Sequence, residues 1–342
     1  MKHILKEKTT KIALGFCILI VILVFTSKLI NVRHNETVNK ESISFDKNKY
    51  SGAIFYSPHQ DDETIFYGQV IADAVHNFGA DNVHVVMVSD GSKSGAIDYP
   101  EISSQLDDII KEAEKEYIKS GENTLSDKEK NELKVKLFSK ARNNESVAAL
   151  KSLGVKGKNI EFLDYPDGIL NHYVPQISAK VKEFCDKGKY IHFSYTPYFD
   201  THQDHRAVGE ALKNMAKEVS DNDFLFIVKF VPECKDSFEA EEEKHDDKHR
   251  LIINRQYKEA LNNAYADFFV INNDAGKFGV ALARYANENK VDLSTAVKAC
   301  EELDNLRLGI GPQSVSEYFS SFYDKVNSDD MVTMLHTPFE KK

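Results

Sequence analysis

An α/β fold with a mostly parallel sheet and helices on both faces is predicted by two patterns in the sequence. Short apolar, β-branched or aromatic runs alternate with stretches of helical period. Two clusters of histidine and aspartate also fall directly after two of those runs, where such a sheet presents its ligand site, at the carboxyl ends of the strands. Together these describe a Rossmann-like architecture.

Taken in order, the chain begins with four lysines in residues 2–11 and an apolar run from Ile12 to Phe25. This lysine-first arrangement over residues 1–33 reads as a signal anchor, with a cleaved signal peptide or a buried helix as alternatives. The positive flank predicts a single pass through the cell membrane with the remainder outside the cytoplasm, or secretion if the segment is removed. Residues 34–50 form a polar linker, and residues 51–342 a single α/β domain.

Strands are expected at Ala53–Ser57, Val83–Ser89, Ile160–Tyr165, Tyr190–Thr196 and Phe224–Val231. Helices are expected at Thr64–Phe78, Arg142–Leu153, Gln176–Asp186 and His202–Val219, spacings of strand and helix that suit parallel crossovers. Residues 98–140 read as a charged helical insertion and 235–250 as a solvated charged loop. A mainly helical extension follows position 254.

The whole chain carries a net charge of −10, and residues 1–33 hold +5, which leaves −15 for the body. Such acidity argues against nucleic acid or another polyanion as partner. Cys17, Cys185, Cys234 and Cys300 are scattered, with neither the spacing of a disulfide framework nor that of a CxxC zinc site; one disulfide among the last three stays open.

The first cluster, "SPHQDDE", places His59, Asp61, Asp62 and Glu63 behind the first strand. Acidic residues there would also complement a helix dipole. The second, "THQDHRAVGEAL", places His202, Asp204 and His205 at a helix start, with the two imidazoles three residues apart and so on one face. Two such clusters at strand ends supply the few nitrogen and oxygen ligands, and the spare carboxylates, of a catalytic metal site with an open position.

These motifs resemble the (S/A)-x-H-P-D-D-E and H-P-D-H motifs of the PIG-L/LmbE-like family of zinc-dependent N-acetylglucosamine deacetylases. "ARNNESVAALKSLGV" and "IEFLDYPDG" are similar to that family's intervening helix and strand, so the likeness runs from about residue 53 to 211. The resemblance implies His59, Asp62 and His205 as ligands of zinc or another divalent metal, and Asp61 as general base. It further implies that His202 steadies the tetrahedral intermediate, that Asp204 orients an imidazole, and that Arg142 and Asp167 hold sugar hydroxyls. The implied activity is removal of the N-acetyl group from an N-acetylglucosamine-containing glycan or glycoconjugate. A zinc amidase on another N-acyl substrate and an inactive carbohydrate-binding protein are the alternative readings. Gln60 and Gln203 stand where the family pattern has proline.

Overall fold

The structure, a computed structural model, describes residues 45–198, 200–229, 248–250, 258–268, 270, 274–309 and 332–335. All belong to one compact unit, Ser44–Lys342. Among these residues no helix is long and apolar enough to cross a membrane; the apolar run of residues 12–25 lies outside them.

The sheet follows from the apolar runs. Strands β1 (Gly52–Ser57), β2 (Val83–Ser89), β3 (Ile160–Tyr165), β4 (Tyr190–Tyr195) and β5 (Asp223–Lys229) are all parallel. β1 is buried along its whole length, as a central strand covered on both faces must be. Its Phe55 sits opposite Val85 and Phe193, and the two phenyl rings stack at 4.5 Å. Two short antiparallel strands, β6 (Lys248–Arg250) and β7 (Val332–Leu335), extend the β5 edge. The strand order is β3-β2-β1-β4-β5-β7-β6. The chain therefore walks outward from β1 to β3 and returns to place β4 beside β1. The crevice between β1 and β4 is the topological switch point, where open α/β sheets bind their ligands.

Helices α1 (Asp62–Ile65), α2 (Gly68–Phe78), α3 (Pro100–Lys119), α4 (Asp127–Ser152), α5 (Val174–Lys187), α6 (Gln203–Ala216), α7 (Lys258–Phe268), α8 (Ala275–Asn289) and α9 (Leu293–Ala299) complete the described elements. Helices α5 and α6 cover one face through Ile177, Val181, Val208 and Leu212, packed on Ile54, Tyr56 and Val86. Helix α2, the second half of α4 and α7 cover the other; a methyl group on Gly68 would come within 3.1 Å of Leu261.

Four differences from the sequence reading have physical causes. The stretch expected as one helix, Thr64–Phe78, is split at Phe66 and Tyr67, whose rings are buried against Tyr195. Helix α4 runs unbroken from the capping box of Ser126 and Glu129 to Ser152, so position 140 is no boundary. Residues 248–250, expected in a solvated loop, form β6; residues 235–247 and Cys234 lie outside the described residues, while Cys185 and Cys300 are free thiols. The insertion and the C-terminal extension, read as separate additions, share one apolar core. In it Leu106, Ile109 and Leu137 pack with Phe278, Leu282 and Val297.

Candidate metal and catalytic site

Beyond β1 the chain turns into the switch point within two residues. Ser57 Oγ donates to the carbonyl of His59 at 2.9 Å. Asp61 then adopts φ 141°, a conformation strained for any side-chain-bearing residue. Three contacts hold it there: its own N–H donates to Glu63 Oε2 at 2.8 Å, its carbonyl accepts from Thr64 N, and Arg142 Nη2 donates to the carbonyl of Gln60. The Asp61 carboxylate is left 31% exposed beside the buried Asp62.

Beyond β4, His202 caps α6. Its Nδ1 accepts from the Asp204 N–H at 3.3 Å. That bond leaves the ring proton on Nε2, so the neutral imidazole is a donor at its exposed edge. Burial, then the neighbouring His59 and His205, lower its pKa and favour this neutral form.

The two strand ends meet at Asp62. Its Oδ2 lies 3.1 Å from His59 Nδ1 and 3.2 Å from His205 Nε2, while Tyr195 donates to its Oδ1 at 3.0 Å. The far nitrogens of both rings face carboxylates as well. His205 Nδ1 is 2.8 Å from Asp200 Oδ2, and His59 Nε2 is 3.3 Å from both Asp167 Oδ1 and Asp204 Oδ2. Two imidazoles are thus enclosed by four carboxylates in a nearly solvent-free site.

The electrostatics follow from that crowding. Burial opposes charge on His59, yet Asp167, Asp204 and Asp62 outweigh it and raise its pKa well above the ordinary value. Burial likewise opposes charge on His205, but Asp62 and Asp200 bring it to about 9. Asp62 is held well below the usual range, against its burial, by His205 and His59. Asp61 goes the other way: burial and the adjacent Asp62 push it up to about 6, against Arg142. The centre demands positive charge, and Asp61 beside it titrates near neutrality.

A divalent cation fits that demand. One nitrogen of each imidazole meets Asp62 Oδ2 in a buried site, and the far edge of each ring is tied to a carboxylate, as in metal sites generally. Among the described residues, the sets of three whose ligand atoms all lie within 4.8 Å of one another are His59–His202–His205 and His59–Asp167–Asp204; Asp62 belongs to neither, although its Oδ2 touches one nitrogen of His59 and one of His205. In the second set the carboxylates have other work. Asp204 accepts the N–H groups of Gly168 and Leu170, and Asp167 accepts that of Lys93.

All eight residues singled out in the sequence therefore lie at or beside one centre, with Arg142 beneath it. Arg142 is buried and donates to the carbonyls of Gly91 and Gln60, with Asp61 Oδ2 at 3.4 Å, while its Nε has no partner among the described residues. Its neighbour Glu145 is turned away and accepts from Leu308 N and Gly309 N. Asp200 and Tyr195 had no assigned role from sequence. Asp200 had a visible signal, as a second acid beside Asp204 in the same stretch, but nothing local shows which imidazole it faces. Gln60 is buried, and its Nε2 donates to the Ser89 carbonyl and to Asn143 Oδ1; Gln203 donates to the Gly168 carbonyl. Where proline would have no donor, both glutamines fasten neighbouring loops.

The fold and the site define an α/β protein with a buried histidine–carboxylate centre, able to hold a metal ion, at its switch point. Residues 54–216 match the family described as PIG-L: GlcNAc-PI de-N-acetylase, and this chain carries a domain of that family. Among solved structures, it is similar to N,N'-diacetylchitobiose deacetylase from Pyrococcus horikoshii, with 15% identity over 83% of this chain and 91% of that one and a TM-score of 0.41. It is similar also to the A40926 pseudoaglycone deacetylase Dbv21, with 14% identity, 85% and 99% coverage and a TM-score of 0.41. A third, the 4-carboxy-2-hydroxymuconate hydratase GalB from Pseudomonas putida KT2440, gives 18% identity, 70% and 87% coverage and a TM-score of 0.37. No curated protein matches this chain.

Proposed function

We propose that this protein is a metal-dependent hydrolase that removes the N-acetyl group from an N-acetylglucosamine-containing glycan or glycoconjugate, releasing acetate and a free amine. The observation that carries this reading is the pairing of two tasks at one point. His59, Asp62 and His205 present a cation-binding donor set, and the Asp61 carboxylate stands next to it, about a third exposed and raised above the ordinary carboxylate range by burial and Asp62.

His59, Asp62 and His205 would hold the ion, zinc being the natural choice for this set of nitrogen and oxygen ligands. When bound, such an ion supplies Lewis acidity to the amide oxygen and makes water easier to deprotonate. Asp61 takes the proton of the attacking water and returns it to the leaving nitrogen, a role suited to a carboxylate whose pKa lies close to working pH. His202 donates from Nε2 to the oxyanion of the tetrahedral intermediate. Asp204 fixes the His59 ring and, through Gly168 and Leu170, the turn that carries Asp167. Asp167 and Arg142 are assigned to the sugar hydroxyls. The strained, multiply tethered Asp61 speaks against an inactive binding protein, which would need no carboxylate held this way.

The test is acetate release by the purified full-length protein across N-acetylated monosaccharides, oligomers and glycolipids, with metal content measured in parallel. Release from N-acetylglucosamine compounds is expected; none from any of them would overturn the reading. For location, we propose a single-pass membrane anchor with the catalytic domain outside the cytoplasm. Protease added to intact cells should digest the domain, and full protection would reverse that topology.

A further inference from the structure

A groove of about 770 Å³ lies beside the centre and is not used by the chemistry above. One wall is a single face of α4, including Asn131, Val135, Ser139 and Asn143. The opposite wall is α9, with Ser294, Thr295 and Val297. Helix α4 precedes β3, so its N-terminal half rises past the carboxyl ends of the strands, on the side of the sheet where the site opens. From 131 to 143 the wall runs roughly 18 Å at 1.5 Å per residue.

The inner end of the groove is built from the same loops as the centre. Asp90, on its floor, accepts the Asp167 N–H at 3.1 Å, and Asn143 accepts from Gln60 at 2.6 Å. Asp164, also on the floor, sits at a register shift between β2 and β3 with φ 52°. This is a strained position for aspartate, and it directs the side chain to Lys298 on α9. A bulge that re-aims a side chain next to an active site is a recurrent functional device.

The lining has a definite chemistry. Its lysines are Lys136, Lys140 and Lys298, and each already has a carboxylate partner, in Glu132, Asp304 and Asp164 respectively. Among the described lining residues, no cation is left over for an anionic ligand. What remains are the Asp90 carboxylate, which accepts the N–H groups of Ser92 and Asp167, together with amides, hydroxyls and the aliphatic surfaces of Val135 and Val297, acceptors and apolar faces that suit an uncharged, hydroxyl-rich chain. We propose that the groove binds further sugar units of an oligosaccharide whose N-acetyl group is at the catalytic centre, so that the preferred substrate is longer than one sugar. This rests on the deacetylase reading.

Ser139, midway along the α4 wall, is the place to obstruct the groove. The full-length Ser139→Trp variant should lower the ratio of kcat/KM for the β-1,4-linked N-acetylglucosamine tetramer over that for the methyl glycoside of N-acetylglucosamine by about tenfold. A variant that only loosened α4 would lower both values alike and leave the ratio unmoved, which would overturn the proposal. A binding measurement independent of turnover uses Val135→Trp at the more exposed rim, since the chain has no other tryptophan. Its fluorescence should change saturably with the tetramer and not with the methyl glycoside. If no sugar releases acetate while this signal saturates, the groove stands and the deacetylase reading fails. If acetate is released, the ratio is unmoved and the fluorescence is silent, the deacetylase reading stands and the groove proposal is wrong.

Discussion

The parallel sheet and the helical cap built from α3, the first half of α4, α8 and α9 solve different problems with different cores. In the sheet, positions are set by backbone ladders, and the side chains at the strand ends are tied by several polar contacts each; Asp204 alone accepts from Gly168, Leu170 and His59. In the cap, helices meet through aliphatic and small residues. Gly279 lies so close to α3 that a Cβ there would be 2.6 Å from the Ile109 carbonyl oxygen. The sheet fixes the site residues through several polar contacts each, while the cap supplies a wall held by apolar packing. If that division is right, substitutions in the two regions should fail in different ways.

The largest effect belongs to the strand ends. Asp61→Asn keeps the size of the side chain and removes the proton acceptor, and should cut turnover by about 10²–10⁴-fold while metal content stays at the wild-type level. Unchanged acetate release would remove Asp61 as the base. Next comes Asp200, whose carboxylate meets the far nitrogen of His205 and accepts the N–H of His202. Asp200→Asn should weaken metal affinity by about 10–100-fold, read by chelator competition. An unaltered affinity would show that the Asp200 contact is structural only.

In the cap the failure should be one of stability. Gly279→Val forces a branched side chain against the backbone of α3 and should cost about 2–3 kcal/mol. Hydrogen exchange should report the loss in α3 and α8 first, with metal affinity retained. Equal loosening of the strand ends would contradict the separation drawn between the two regions.

The same contrast explains what could be read from sequence. The five parallel strands and both His–Asp clusters were legible because each is local: a period, a composition, a spacing within a dozen residues. The pairing of residues 98–140 with the C-terminal extension was not, since Ile109 and Leu282 touch across a long sequence gap and each helix alone shows only an ordinary apolar stripe. Strands β6 and β7 are 3 and 4 residues long, too short for alternation to register. Gln60 was visible as a departure from the family pattern, but its bonds to Ser89 and Asn143 depend on where β2 and α4 come to lie.

The smallest effect tests the seam between the regions. Glu145, on the sheet-covering half of α4, is buried and accepts from Leu308 N at 2.7 Å and Gly309 N at 2.8 Å, which fastens the end of the cap to the site-bearing helix. Burial pushes its pKa from an ordinary 4.5 up to about 7. The folded state therefore holds a proton that the unfolded chain has released between those values, so stability falls as pH rises through that window and then levels off. Glu63, also raised to about 7, gives a slope of the same sign, so the informative quantity is the difference between wild type and Glu145→Gln. Glutamine retains an acceptor for both N–H groups and never ionises. Urea unfolding at intervals from pH 4 to 8 should show nearly equal stability at the acid end and a growing advantage for Glu145→Gln toward pH 8, of about 2 kcal/mol. Parallel curves would mean that the seam carries no buried proton, and that the two N–H groups alone hold the cap to α4.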